Sequence, residues 1–251
     1  MSKAGGVAGG WRGLGRALRD VFFPPSCLHC GGLVTEASPL RHICAACEPL
    51  ILRVEAPACP CCGHPYFGET AGEQLCVHCE GLAPAFHEGR TAVLFRGPAR
   101  ALVHALKYRQ GLFVLEDMAE LIATNAHAAD FLRGAALVPV PLHPRKERER
   151  GYNQSRELAA AVAARLGAGT RVLELLRREA DTRTQTNLDR DQRRANLKNA
   201  FALAPGVVIT TDFRYVLLDD VFTTGSTLNA CAAVLRRAGA LNVDVCTFGH
   251  G

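Results

Sequence analysis

The chain has 251 residues, 48% of them hydrophobic and 21% charged, with a formal charge of +5 at pH 7. This composition excludes a disordered or collagen-like chain and permits a core of ordinary size, in one large domain or a medium one joined to a small one. No apolar run approaches the roughly 18 residues of a membrane span, and the start lacks the apolar centre of a signal peptide, so a cytoplasmic protein without a membrane span is expected.

Residues 1–22 begin Gly-rich and then carry Trp11, Leu14, Leu18 and Phe22 at helical spacing, with Arg12, Arg16 and Arg19 between them. A short helix packing on the body is expected here, within an N-terminal extension over 1–23.

Eleven cysteines are the abnormal count, and eight of them form a pattern. Cys27-x2-Cys30 is followed after thirteen residues by Cys44-x2-Cys47; Cys59-x2-Cys62 is followed after thirteen by Cys76-x2-Cys79. Each member recurs 32 residues on, and Gly31 recurs as Gly63, so a 21-residue unit is duplicated. Two Cys-x2-Cys turns supply the four thiolates that zinc accepts in a tetrahedron, and four ligands leave no open position, so two structural zinc sites are expected. Disulfides suit a secreted chain instead, and the pairs lie too far apart for the close run of a ferredoxin cluster. Spacing leaves open whether each unit closes on its own zinc or exchanges pairs, the within-unit arrangement being simpler. Few large apolar side chains lie between Pro24 and Pro84, so metal must substitute for packing in a small zinc ribbon module over 24–83. Cys61 falls outside the register, while Cys231 and Cys246 read as buried free thiols.

From 84 to 251 strands alternate with helices. Thr91–Phe95, Ala135–Val140, Tyr215–Leu218 and Val243–Phe248 read as strands; Ala99–Leu106, Leu112–Ile122, Tyr152–Leu166 and Thr227–Ala238 read as helices, with a short element at Val172–Leu176. That texture implies an α/β fold, a mostly parallel sheet covered by helices on both faces, with ligands beyond the carboxyl ends of the strands.

The most informative stretch follows the strand at Tyr215. Two acids, Asp219 and Asp220, precede a turn of Thr223, Thr224, Gly225, Ser226 and Thr227 that opens a helix. Free N–H groups at a helix start, with hydroxyl donors around them, seat a phosphomonoester. Adjacent acids would repel that anion unless a metal or sugar hydroxyls lie between. Neither a P-loop (no Gly-x4-Gly-Lys) nor a Rossmann fingerprint is present.

Positive charge is concentrated: residues 141–200 hold 14 basic and 8 acidic residues, a local +6, which favours a focused anion site. Within it, Pro141–Ser155 carries His143, Arg145, Lys146, Arg148 and Arg150, and either Asn153 or Ser155 could cap the helix that follows. The polar segment 177–199 carries Arg183, Arg190, Arg193, Arg194 and Lys198 and reads as a basic flap closing over a charged ligand.

The Asp219–Thr227 stretch resembles the signature of type I phosphoribosyltransferases, which bind phosphoribosyl pyrophosphate (PRPP). The resemblance implies that Asp219 and Asp220 face the ribose hydroxyls and that Thr223–Thr227 cradle the 5′-phosphate. Together with the doubled cysteine pairs, Leu106-Lys-Tyr-Arg109, Val138-Pro-Val-Pro-Leu-His143, Arg150-Gly-Tyr-Asn-Gln154 and the 181–196 segment, the arrangement is similar to the ComF family over roughly residues 24–249. That implies a double zinc ribbon before a type I phosphoribosyltransferase-like sheet, and a role in DNA uptake during natural transformation. It also implies Mg²⁺ with PRPP, and pyrophosphate held by Arg145, Lys146 or Arg150 and by Arg183 or Arg194 from the flap, with Lys107 and Arg109 behind them. No catalytic base is identifiable; Glu147, Asp220 and His143 are all conceivable. Many type I enzymes have small residues in the pyrophosphate loop where this chain reads Val140-Pro-Leu-His-Pro144, and prolines remove N–H donors. The expected function is therefore PRPP binding, either with transfer of phosphoribosyl to an unidentified acceptor or as a non-enzymatic PRPP or nucleotide sensor and adaptor. The ribbons lack a Lys/Arg stripe, so they are expected to dock a protein partner; single-stranded DNA is the competing partner through the basic segment 177–198.

Overall fold

The computed structural model describes residues 25–66, 75–167, 169–179 and 200–251. Its centre is a five-stranded sheet of β1 (Gly89–Leu94), β2 (Ala136–Pro139), β3 (Arg171–Val172), β6 (Arg214–Phe222) and β7 (Asn242–His250). All pairings are parallel, in the order β1-β7-β6-β2-β3. A separate antiparallel pair joins β4 (Leu176–Arg178) to β5 (Phe201–Leu203). The expected α/β class with a parallel sheet is what the chain forms.

Three helices fill the crossover from β1 to β2: α1 (Gly97–Tyr108), α2 (Leu115–Ala123) and α3 (Ala126–Leu132). The β2–β3 connection carries α4 (Pro144–Arg150) and α5 (Gln154–Leu166); α6 (Ser226–Arg237) joins β6 to β7. Because helices cover both faces, β6 reads as an unbroken apolar run whose Val216, Leu217 and Leu218 are all fully buried. Val216, Leu218 and Phe248 pack on one face with Leu102, Met118 and Leu158; Leu217, Val243 and Val245 pack on the other with Leu228 and Leu235 of α6. Each such fully buried side chain contributes roughly 1.5–3 kcal/mol. The chain thus leaves β2 toward one face and its neighbour β6 toward the other, making a topological switch at the carboxyl ends of these strands.

The cysteine units straddle this sheet. Ribbon 1 (residues 27–47) adds Cys27, Leu40, Ile43, Cys44 and Cys47 to the first core; ribbon 2 (residues 59–79) adds Cys59, Cys61, Cys62 and Cys79 to the second. The segment between them runs along the outer edge of β1, with Leu94 N–H donating to Leu52 O and Val54 N–H to Ala92 O, both at 2.9 Å. Buried Asn125 fastens it: Nδ2 donates to Val54 O (2.7 Å) and Ala92 O (3.0 Å), while Oδ1 caps α3 by accepting from Ala128 N–H.

Some elements differ from expectation. Two helices were unforeseen, α3 and α4; the latter starts with Pro144 and is capped by His143, which accepts from Arg145 N–H. The expected element at 172–176 is two short strands, β3 and β4. Strand β6 continues past Leu218 to Phe222, because β7 supplies partners from Asp219↔Thr247 through Phe222↔His250. The helix expected from Trp11 to Phe22 lies outside the described residues.

Candidate functional site

Two four-cysteine clusters form, each within its own repeat: Cys27, Cys30, Cys44 and Cys47, and Cys59, Cys62, Cys76 and Cys79. Sulfur separations are 3.7 Å for Cys30–Cys44, 4.0 Å for Cys59–Cys79 and 3.4 Å for Cys62–Cys76. A zinc tetrahedron with Zn–S near 2.3 Å has edges of roughly 3.8 Å, so both donor sets fit zinc by chemistry and size. Cys61 is buried outside the tetrad. Cys231 and Cys246 are the buried thiols expected, burial raising both and pushing Cys246 up to about 12.

A second centre lies at the carboxyl ends of β2 and β6, at the switch between the two helix directions. A cleft of about 420 Å³ is lined there by Val140, Pro141 and Leu142 after β2, by Asp219, Asp220, Val221, Thr223 and Thr227 on and after β6, and by Lys107, Gln154 and Arg178. Its size falls in the ~300–1,000 Å³ range of small-molecule sites. Phe95, His104 and Tyr108 make an aromatic side, His104 and Tyr108 touching edge to face at 5.6 Å.

The acids are held by contacts from distant segments. The Ser155 hydroxyl donates to Asp219 Oδ1 at 2.7 Å, and Asp220 N–H donates to the same oxygen at 2.9 Å. Lys107 Nζ stands 2.8 Å from Asp220 Oδ2, an ion pair on a buried carboxylate. Burial, then the neighbouring Asp220 carboxylate, push Asp219 up to about 7 against the pull of Ser155 and Lys107.

The turn after β6 depends on Gly225, the residue preceding α6, at φ +68°. A β-carbon there would lie 2.5 Å from the Phe222 ring and 3.1 Å from Leu82, so Phe222 of β6 and Leu82, just after ribbon 2, together with the positive φ require glycine. Gly225 has no side chain with which to cap α6; Ser226 N–H donates to Thr224 Oγ1 at 3.4 Å, and the Thr224 and Ser226 hydroxyls pair with each other at 2.9 Å. Unfilled N–H groups at a twelve-residue helix start beside three threonines and a serine can bind a dianion.

Of the residues singled out from sequence, the cleft brings together Asp219, Asp220, Thr223, Thr227 and Lys107. Arg145, Lys146 and Arg150 sit on α4 and do not line it: Arg145 pairs with Glu149 at 2.9 Å, and Arg150 donates to Gln154. Arg183 and Arg194 lie outside the described residues. Asn153 caps α5, accepting from Ser155 N–H, which frees the Ser155 hydroxyl for Asp219. Sequence reasoning missed Phe95, His104 and Gln154; the one available signal was His104 and Tyr108 a helical turn apart, flanking Lys107.

The class defined so far is a pair of cysteine ribbons built into the faces of a parallel α/β sheet with an acid-plus-anion site at its carboxyl edge. Residues 18–80 match the family model described as "Double zinc ribbon domain". The chain is 30% identical over 233 residues to Competence protein F of Haemophilus influenzae, covering 89% of this chain and 96% of that protein. It is 34% identical over 208 residues to the DNA utilization protein YhgH of Salmonella typhimurium, covering 81% and 88%. This chain belongs to the ComF family. A hypoxanthine phosphoribosyltransferase structure from Staphylococcus aureus matches with a TM-score of 0.30 at 14% identity over 53% of this chain and 61% of that one, a likeness too slight to bear on the site. No helix among the described residues is long and apolar enough to cross a membrane.

Proposed function

We propose that the cleft binds PRPP, and that the protein acts in the handling of incoming DNA, as the names of its competence and DNA-utilization relatives suggest. One observation carries the reading: paired carboxylates line one cleft with Thr223 and Thr227, the residues that flank the glycine-started helix mouth, a combination suited to a ligand with hydroxyls and a phosphate on one sugar. Asp219 and Asp220 accept from the ribose hydroxyls; the Thr223–Thr227 turn takes the 5′-phosphate. Carboxylate oxygens also suit Mg²⁺ accompanying the ligand. Lys107 and Arg178 are then the described cations lining the cleft that would meet the pyrophosphate. The basic segment 177–199 supplies further charge, and the aromatic side stacks an acceptor ring.

Isothermal titration of PRPP with and without Mg²⁺ tests this. Metal-assisted binding is expected, weakened about a hundredfold or more by Asp219→Asn with Asp220→Asn, since two charged hydrogen-bonding groups are lost. A hydroxyl donor favours ionised Asp219, whose pKa in the free protein is raised to about 7, so affinity rises as pH passes upward through neutrality. Unchanged binding in the double variant refutes the assignment.

A second reading makes the same binding a signal rather than a reaction step. Pro141 and Leu142 form an apolar wall without proline N–H donors where a pyrophosphate loop would lie. Pyrophosphate release on incubation with nucleobases separates the two readings.

A further inference from the structure

The cleft and the cysteine tetrads leave one constellation unexplained. His64 and His78 come from ribbon 2, and His250 is the last residue of β7. Their rings meet in a triangle with centroids 4.7 Å (His64–His78), 4.7 Å (His64–His250) and 4.9 Å (His78–His250) apart, and one nitrogen from each lies within 4.8 Å of the others. His250 is 2% exposed, and neither of its ring nitrogens has a hydrogen-bond partner. A neutral imidazole carries one donor and one acceptor, and native interiors rarely leave both unmet. Phe222 stacks on the His250 ring at 5.0 Å and 17° and so fixes its plane. The adjacent tetrad already has four sulfurs, so these nitrogens are not spare ligands for it.

We propose that His64, His78 and His250 form a third metal site, which takes a borderline divalent transition ion, zinc foremost, through three imidazole nitrogens. Magnesium and calcium want oxygen ligands, whereas imidazole suits zinc, copper, nickel and iron. Three nitrogens leave a fourth position for water, and without thiolates this site exchanges its ion more readily than the tetrads. Ion binding would pin ribbon 2 to the end of β7 and hold Phe222, whose ring sets the space available at Gly225. Metal occupancy would thereby stiffen the turn after β6.

The test is Co²⁺ titration of the full chain with both tetrads zinc-loaded. One saturable equivalent is expected, giving visible d–d absorption without sulfur-to-cobalt charge transfer. His250→Gln and, separately, His78→Gln should each abolish that equivalent while retaining two zinc per chain. His78 is only half-buried, so His78→Gln keeps the experiment decisive if His250→Gln disturbs packing. Absence of Co²⁺ uptake by the wild type, charge-transfer bands showing entry into a tetrad, or uptake unchanged in His78→Gln would each overturn the proposal.

Discussion

Ribbons 1 and 2 share their spacing and not their surroundings. In ribbon 1 Cys30 is exposed and Gly31, at φ +76°, has open space around it. In ribbon 2 Cys59, Cys62 and Cys79 are fully buried, and a β-carbon at Gly63 (φ +73°) would lie 2.5 Å from Thr91 N. Ribbon 2 is stitched to β1 through backbone: Gly89 N–H donates to Pro60 O at 2.7 Å, and the Thr91 hydroxyl to Cys62 O at 2.9 Å. Ribbon 1 is instead clamped by one buried carboxylate. Asp117 of α2 accepts from Arg41 N–H and His42 N–H, each at 2.8 Å. The duplicated unit supplies a metal-closed loop, and the contact it makes with the sheet decides how much of that loop is buried.

The largest test of this contrast is a matched pair of glycine substitutions. Gly63→Ala combines a left-handed backbone with a clash against the β1 backbone and should cost about 2–5 kcal/mol. Gly31→Ala carries the backbone term alone, about 1–2 kcal/mol. Denaturant unfolding of the zinc-loaded variants reads the difference, and equal costs would break the comparison. Next, Asp117→Ala removes two backbone hydrogen bonds and the His42 ring contact at 3.2 Å, and should cost roughly 2–3 kcal/mol. The smallest effect is kinetic: under a chelator zinc should leave in two phases, ribbon 1 first. Asp117→Ala should quicken only the earlier phase, and quickening of both would mean that the ribbons are not independently anchored.

What could be read in the sequence was local chemistry. Cysteine spacing defined two metal loops, and the Asp219–Thr227 order placed acids before a helix mouth, because neighbours in sequence build these features. The strand carrying the acids looked finished at Leu218, since two carboxylates are unwelcome in a buried ladder. It continues because Ser155 and Lys107, 64 and 113 positions upstream of their respective partners, absorb the charge. Likewise the α4 cations look like an anion site by composition, yet Arg145 turns to Glu149 within its own helix. His250 meets His64 and His78 only because β7 ends against ribbon 2. Such meetings are set by topology, which spacing does not encode.

The segment joining the ribbons also covers an edge of the sheet. By laying Leu52–Val54 against β1, it occupies the outermost hydrogen-bonding row of the sheet. Cutting the ribbons away to obtain a minimal α/β fragment would uncover a row of unmet N–H and C=O groups on a strand with five of its six residues buried, a seed for strand-to-strand self-association. The segment between the ribbons is therefore also the sheet edge's guard against strand-to-strand pairing.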